Sequence, residues 1–118
     1  LQVTWEDQSM INTFSKLVNR LDVRQETLVL KKQDKEYLDD VEMELELADD
    51  ADAFPYRIGD AFVHLPLEQV QSRLSAEKES AEESIDQLEQ EVETIKEEMA
   101  GLKVKLKRKY GDSINLDN

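Results

Sequence analysis

The apolar positions of this chain fall into two long runs of helical period separated by a short stretch of a different kind. From Ala81 onward, Ile85, Leu88, Val92, Ile95, Met99, Leu102 and Leu106 follow at alternating steps of four and three residues. This is the spacing of a heptad seam, in which the a and d side chains of one helix line its contact with another. With Ile85, Val92, Met99 and Leu106 at a, the d positions are Ala81, Leu88, Ile95 and Leu102. Projected backward, the same frame puts Leu74 and Leu67 at d but Lys78 and Gln71 at a, so the predicted seam is dry at one end and wetter at the other. The first run is less regular. Reading a at Phe14, Leu21, Leu28, Lys35 and Glu42 gives d at Met10, Leu17, Arg24, Lys31, Leu38 and Leu45; seven of these eleven sites are apolar, enough to keep the period.

The ends of both runs carry helix signals. Thr4 followed three residues later by Asp7, with Glu6 between them, is a variant of the capping box and predicts helix 1 over about residues 5–47. Pro66 suits the residue before or at a first helical turn. Gly111 follows a turn rich in Lys107, Arg108 and Lys109, as the helix dipole favours, so helix 2 is predicted over about 67–110 with a tail at 111–118. Each helix then has about 43 residues, roughly 65 Å at about 1.5 Å per residue, and two helices of equal length can pair antiparallel throughout.

Between them, about residues 54–65, aromatic and β-branched residues surround Gly59-Asp60. Glycine at the first position of a two-residue loop favours a type II′ turn, so Ile58 and Ala61 should flank the turn of a β-hairpin. Two strands of about five residues are marginal in water alone. Since nothing else in the chain reads as a strand, the missing strands must come from other chains, and Phe54, Tyr56, Ile58, Gly59, Phe62, Val63 and Leu65 become candidate oligomerisation residues. The expected fold is mainly α: a long antiparallel two-helix coiled-coil hairpin, residues 1–118 as a single domain, with one β-hairpin at the bend that joins an inter-subunit β-barrel.

Composition agrees with a thin structure. Only 39% of the residues are hydrophobic and 36% are charged, which is poor material for a thick core. A formal net charge of -13 repels phosphate backbones and anionic lipid, which argues against nucleic acid and membrane as partners. Without cysteine there is no disulfide framework or thiolate site, and the cytoplasm or nucleus is the expected compartment. No apolar run approaches the roughly 20 residues that span a bilayer, and no signal-peptide pattern opens the chain. The sequence starts at Leu1 rather than Met, so a short N-terminal tail is expected to precede it.

The segment Pro55-Tyr56-Arg57-Ile58-Gly59-Asp60-Ala61-Phe62-Val63, between two heptad helices of equal length, resembles the β-class subunits of prefoldin. The opening Val3-Thr4-Trp5-Glu6-Asp7-Gln8 and the tail Tyr110-Gly111-Asp112-Ser113-Ile114-Asn115-Leu116 fit that family as well. The resemblance implies a hexamer of two α-class and four β-class subunits whose β-hairpins build a barrel. It also implies capture of unfolded polypeptide, such as nascent actin and tubulin, at the coil ends, and transfer to the group II cytosolic chaperonin without ATP hydrolysis or any cofactor.

The residues give a separate reason to look for that site near the chain termini. Ile11 and Val18 fall at e positions beside Met10, Phe14, Leu17 and Leu21, widening the apolar stripe beyond what two helices need. On helix 2, Val104 falls at an outward f position and Tyr110 at e, near Leu102 and Leu106, with Ile114 and Leu116 beyond. Met10, Ile11, Phe14, Leu17, Val18, Leu102, Val104, Leu106 and Tyr110 are therefore the candidate client-binding residues, although Phe14, Leu17, Leu21, Leu102 and Leu106 serve equally well to close the coil.

Catalytic readings fail. His64 is the only histidine, which leaves no Ser-His-Asp set or multi-histidine metal site and suits a strand surface. Asp49, Asp50 and Asp52 lack calcium-loop spacing because Phe54 and Pro55 stand where a ligand and a glycine are required. The carboxylates ride on solvated helix faces. The basic cluster Lys103, Lys105, Lys107, Arg108 and Lys109 is explained in large part by the helix dipole, with contact to an acidic client or chaperonin surface as the alternative. Lys35 and Lys78 occupy seam positions that meet in such a hairpin, where two like charges weaken the coil unless their stems reach outward. A structural tether, or an accessory arm of an enzyme, remains the rival of the chaperone reading.

Overall fold

The computed structural model describes residues 4–48, 53–58 and 61–111; at 53, 55–58 and 62 it describes the backbone alone. Helix α1 (Trp5–Glu46) starts where the capping signal stands. The Asp7 N–H donates to Thr4 Oγ1 at 3.1 Å and the Gln8 N–H to the Thr4 carbonyl at 2.8 Å, while Glu6 and Asp7 place negative charge in the first turn. The helix ends by tightening: the Leu47 and Ala48 N–H groups donate to the carbonyls of Glu44 and Leu45, three residues back.

Strands β1 (Ala53–Ile58) and β2 (Ala61–Pro66) pair antiparallel, with Phe54 opposite Leu65, Tyr56 opposite Val63 and Ile58 opposite Ala61. The register brackets the predicted turn, whose residues Gly59 and Asp60 lie outside the described residues, as do Asp49, Asp50, Asp52, Ile114 and Leu116. Pro66 closes β2 and leads straight into helix α2 (Leu67–Tyr110), which ends on Gly111 with φ of +59°. That left-handed conformation strains any residue with a Cβ, so glycine is the natural stop.

The chain forms two compact units. The terminal unit comprises residues up to Leu28 and from Gln87 onward. Its core sets Phe14, Leu17 and Leu21 of α1 against Val92, Ile95, Met99, Leu106 and Tyr110 of α2, with Met10, Ile11, Val18 and Leu102 partly buried around it. Arg24, a polar residue at a d position, is accommodated by its Nε donating to Glu91 Oε2 at 3.1 Å. Asp7 contacts Tyr110 and Arg24 contacts Glu91, so partner numbers fall along α2 as they rise along α1 and the helices run antiparallel here.

The hairpin unit, Val29–Asp86, has a smaller core of Leu45, Leu67, Val70 and Leu74, flanked by Leu38, Val41, Ala48, Phe54 and Leu65. Here the seam departs from the projected heptad. Val70 is buried and Gln71 is exposed, so the step after Leu67 is three residues and is followed by two steps of four through Leu74 to Lys78. Such a shift admits a valine to the core in place of a glutamine. Lys35 and Lys78 also differ from two opposed charges. Lys78 Nζ lies 3.0 Å from Asp39 Oδ1 and 3.3 Å from Glu42 Oε2, and Lys35 Nζ lies 3.4 Å from Asp39 Oδ2 and 3.9 Å from Glu82 Oε1. The hydrogen bond from Lys78 holds the Asp39 carboxyl below its ordinary range, and the acceptors Asp39 and then Glu42 push the Lys78 ammonium up. This end of the coil is joined by an ionic network.

Candidate functional site

Two regions can act outside the chain. The first is the end of the terminal unit, where the first turns of α1 meet the last turns of α2. Leu106 is fully buried, and Phe14, Leu17 and Tyr110 are nearly so, which commits their surface to the seam. Met10, Ile11, Val18 and Leu102 keep part of their surface exposed at the margin of that core, and Val104 is 51% exposed on the outer side of α2. The nine residues singled out in the sequence thus converge on one end, but only five of them present apolar surface while the coil is closed.

The heptad reading placed Tyr110 at an e position, at the margin of the seam. It is buried because its hydroxyl donates to Asp7 Oδ2, and Lys109 Nζ sits 2.6 Å from the same oxygen. Asp7 is only 4% exposed, yet it is fully served: Lys109, Tyr110 and the Thr4 cap surround it. The Lys109 hydrogen bond first, then that of Tyr110, lowers the Asp7 carboxyl to about 2. In return Asp7 raises both the Lys109 ammonium and the Tyr110 phenol. This clasp was invisible in the sequence, where Asp7 read as a cap and Lys109 as dipole compensation, because the partners stand 103 residues apart and only the antiparallel register joins them.

Beside the clasped end runs a groove of about 260 Å³ lined by Phe14, Leu21, Met99 and Ala100, with Lys96 and Lys103 at its rim. The second region is the β-hairpin. Phe54 and Leu65 face each other across the strands and pack on their own unit's core, Val63 is partly buried and His64 is exposed. The side chains of Tyr56, Ile58 and Phe62 lie outside the described residues. Among the described residues β1 and β2 pair only with each other, so each strand has a second edge without a neighbouring strand. Among the same residues no helix is long and apolar enough to cross a membrane.

Two long helices that pair antiparallel in the terminal unit, a β-hairpin between them in sequence, and surplus apolar side chains around the closed end of that unit define a class of assembly subunit. The chain belongs to the prefoldin subunit family, whose sequence pattern matches residues 8–113. It is 40% identical over 116 residues to prefoldin subunit 4 of Saccharomyces cerevisiae, spanning 98% of this chain and 90% of that protein. It is 39% identical over 118 residues to prefoldin subunit 4 of Homo sapiens, spanning 99% of this chain and 88% of that protein. The fold matches the crystal structure of the prefoldin beta subunit from Thermococcus strain KS-1 with a TM-score of 0.81, over 91% of this chain and 94% of that one, at 14% identity. Members of this family are chaperone components, and membership implies a hexamer built with other prefoldin subunits.

Proposed function

We propose that the chain, acting as one domain over residues 1–118, is a prefoldin subunit that captures unfolded or nascent polypeptides, actin and tubulin among them, without ATP. It passes them to the group II cytosolic chaperonin in the cytoplasm, with the nucleus as a second site of action. The β-hairpin, through Phe54, Tyr56, Ile58, Gly59, Phe62, Val63 and Leu65, joins the strands of neighbouring α- and β-class subunits in a barrel. The observation that carries the capture reading is apolar surface left over after the terminal seam has closed: Ile11, Val18 and Val104, with Met10 and Leu102 beside them. Phe14, Leu17, Leu106 and Tyr110 support that surface from beneath. Burying apolar client surface there contributes roughly 25 cal/mol per Å², weak for one subunit and multiplied by effective concentration across six.

Hexamers reconstituted with the Ile11→Ser, Val18→Ser, Val104→Ser chain should assemble normally and suppress aggregation of chemically denatured actin less well than the parent. Suppression equal to the parent's would remove the capture role and leave this chain a structural tether.

A further inference from the structure

The groove in the terminal unit is rimmed by positive charge in a strongly acidic chain. Along the face of α2 formed by its e and b positions, Glu89 and Glu93 are followed by Lys96, Ala100, Lys103 and Lys107, so the sign reverses abruptly at Lys96. From Met99 to Gly111 there are five cations and no acidic residue, in a chain whose formal net charge is -13. The helix dipole accounts for cations in the last turn only, and Lys103 and Lys96 lie about two and about four turns before the end of α2 at Tyr110. Both stand on the rim of the groove whose floor is Phe14, Leu21, Met99 and Ala100. Val104, one turn beyond Ala100, extends the apolar surface and is half exposed. An apolar floor between cations at one-to-two-turn spacing complements one chemistry: a bulky apolar side chain flanked by carboxylates.

We infer that this groove is a selective client subsite, taking segments of unfolded chain in which an aromatic or aliphatic residue lies next to Asp or Glu. The inference rests on the capture reading above and specifies its substrate class. The groove volume of about 260 Å³ accommodates one or two side chains rather than a folded surface. The acidic remainder of the subunit repels the same segments, which confines them to this end. Two or three solvent-exposed ion pairs at the rim favour such a segment over its neutral counterpart by roughly tenfold at low salt.

The chain has no cysteine, so Ser15→Cys, on the exposed side of α1 next to Phe14, accepts a single environment-sensitive dye before assembly into the hexamer. Three synthetic peptides sharing the same Phe and Leu positions, with Glu, Gln or Lys between them, are then titrated. The Glu peptide should bind about tenfold more tightly than the Gln peptide and the Lys peptide weakest. The preference should vanish at about 1 M salt, where the screening length is about 3 Å, and in the Lys96→Gln, Lys103→Gln, Lys107→Gln chain. Equal affinities for the Glu and Gln peptides, or a preference that survives in the triple variant, would overturn the subsite while leaving capture intact. A dye that responds to none of the peptides, or responds unchanged in the Ile11→Ser, Val18→Ser, Val104→Ser chain, would overturn the capture reading itself and the subsite with it.

Discussion

The two units use the same two helices to make different seams. In the terminal unit Phe14, Leu17, Leu21, Val92, Ile95, Met99 and Leu106 close a dry contact, and its polar members are gathered at the Asp7 clasp and the Arg24–Glu91 pair. In the hairpin unit the apolar core is the smaller set Leu45, Leu67, Val70 and Leu74, with Ile85 also buried farther along α2, and between them the helices are joined by Lys35, Lys78, Asp39, Glu42 and Glu82. A dry seam derives its strength from burial and tolerates little loss of volume. An ionic seam of half-exposed groups gains little net free energy, because what the charges gain from each other they lose in hydration. The difference teaches that the same two helices can close the end bearing the proposed client site by burial while the hairpin unit relies on a smaller core and specific charge pairing.

The strongest way to break this contrast is Leu106→Ala. Leu106 is fully buried, so its truncation should cost about 3 kcal/mol and expose amides of the last turns of α2 and the first turns of α1, read by hydrogen exchange on the assembled complex. A smaller effect tests the shifted seam of the hairpin unit. Val70→Ala should cost about 2 kcal/mol and Gln71→Ala close to nothing, whereas the unshifted heptad demands that position 71 matter more.

The smallest effect isolates the clasp. Because the Asp7 carboxyl is lowered from 3.8 to about 2 by Lys109 and Tyr110, folding is favoured by its ionisation fully above about pH 4, and this contribution is lost as the pH falls through about 2. At the alkaline side the sign is opposite. The Lys109 and Tyr110 contributions are complete below their ordinary values of 10.5 and 10.0 and are lost as the pH rises through their raised folded values. Asp7→Asn should flatten both arms of the pH dependence of amide exchange in the first turns of α1. Unchanged arms would show that the clasp contributes nothing to holding this end closed.

Much of the fold could be read from residue order because its determinants are local. Thr4 caps the residue three positions on, Gly111 ends α2 in a conformation that suits glycine, and Ile58 and Ala61 bracket a Gly-Asp loop. The dry part of the α2 seam was equally legible, since Val92, Ile95, Met99 and Leu106 fall on heptad positions and all are buried, with Leu102 between them partly so. The candidate client surface was legible only as a set. Periodicity gathered nine residues at one end, but which of them retain exposed surface depends on how closely the partner helix approaches, and Tyr110, at a marginal e position, is buried.

The sequence by itself determined the two helices, the strand pair and the end at which apolar residues collect, because helix caps, turn glycines and heptad spacing act between neighbours a few residues apart. The tertiary structure alone decided three matters: that Val70 rather than Gln71 enters the core, that Lys35 and Lys78 are compensated by Asp39, Glu42 and Glu82, and that Asp7 is clasped by Lys109 and Tyr110. Each depends on the register between two helices distant in sequence. A shift of one residue in that register changes which charges meet and which side chains are buried, and no local pattern along either helix records it.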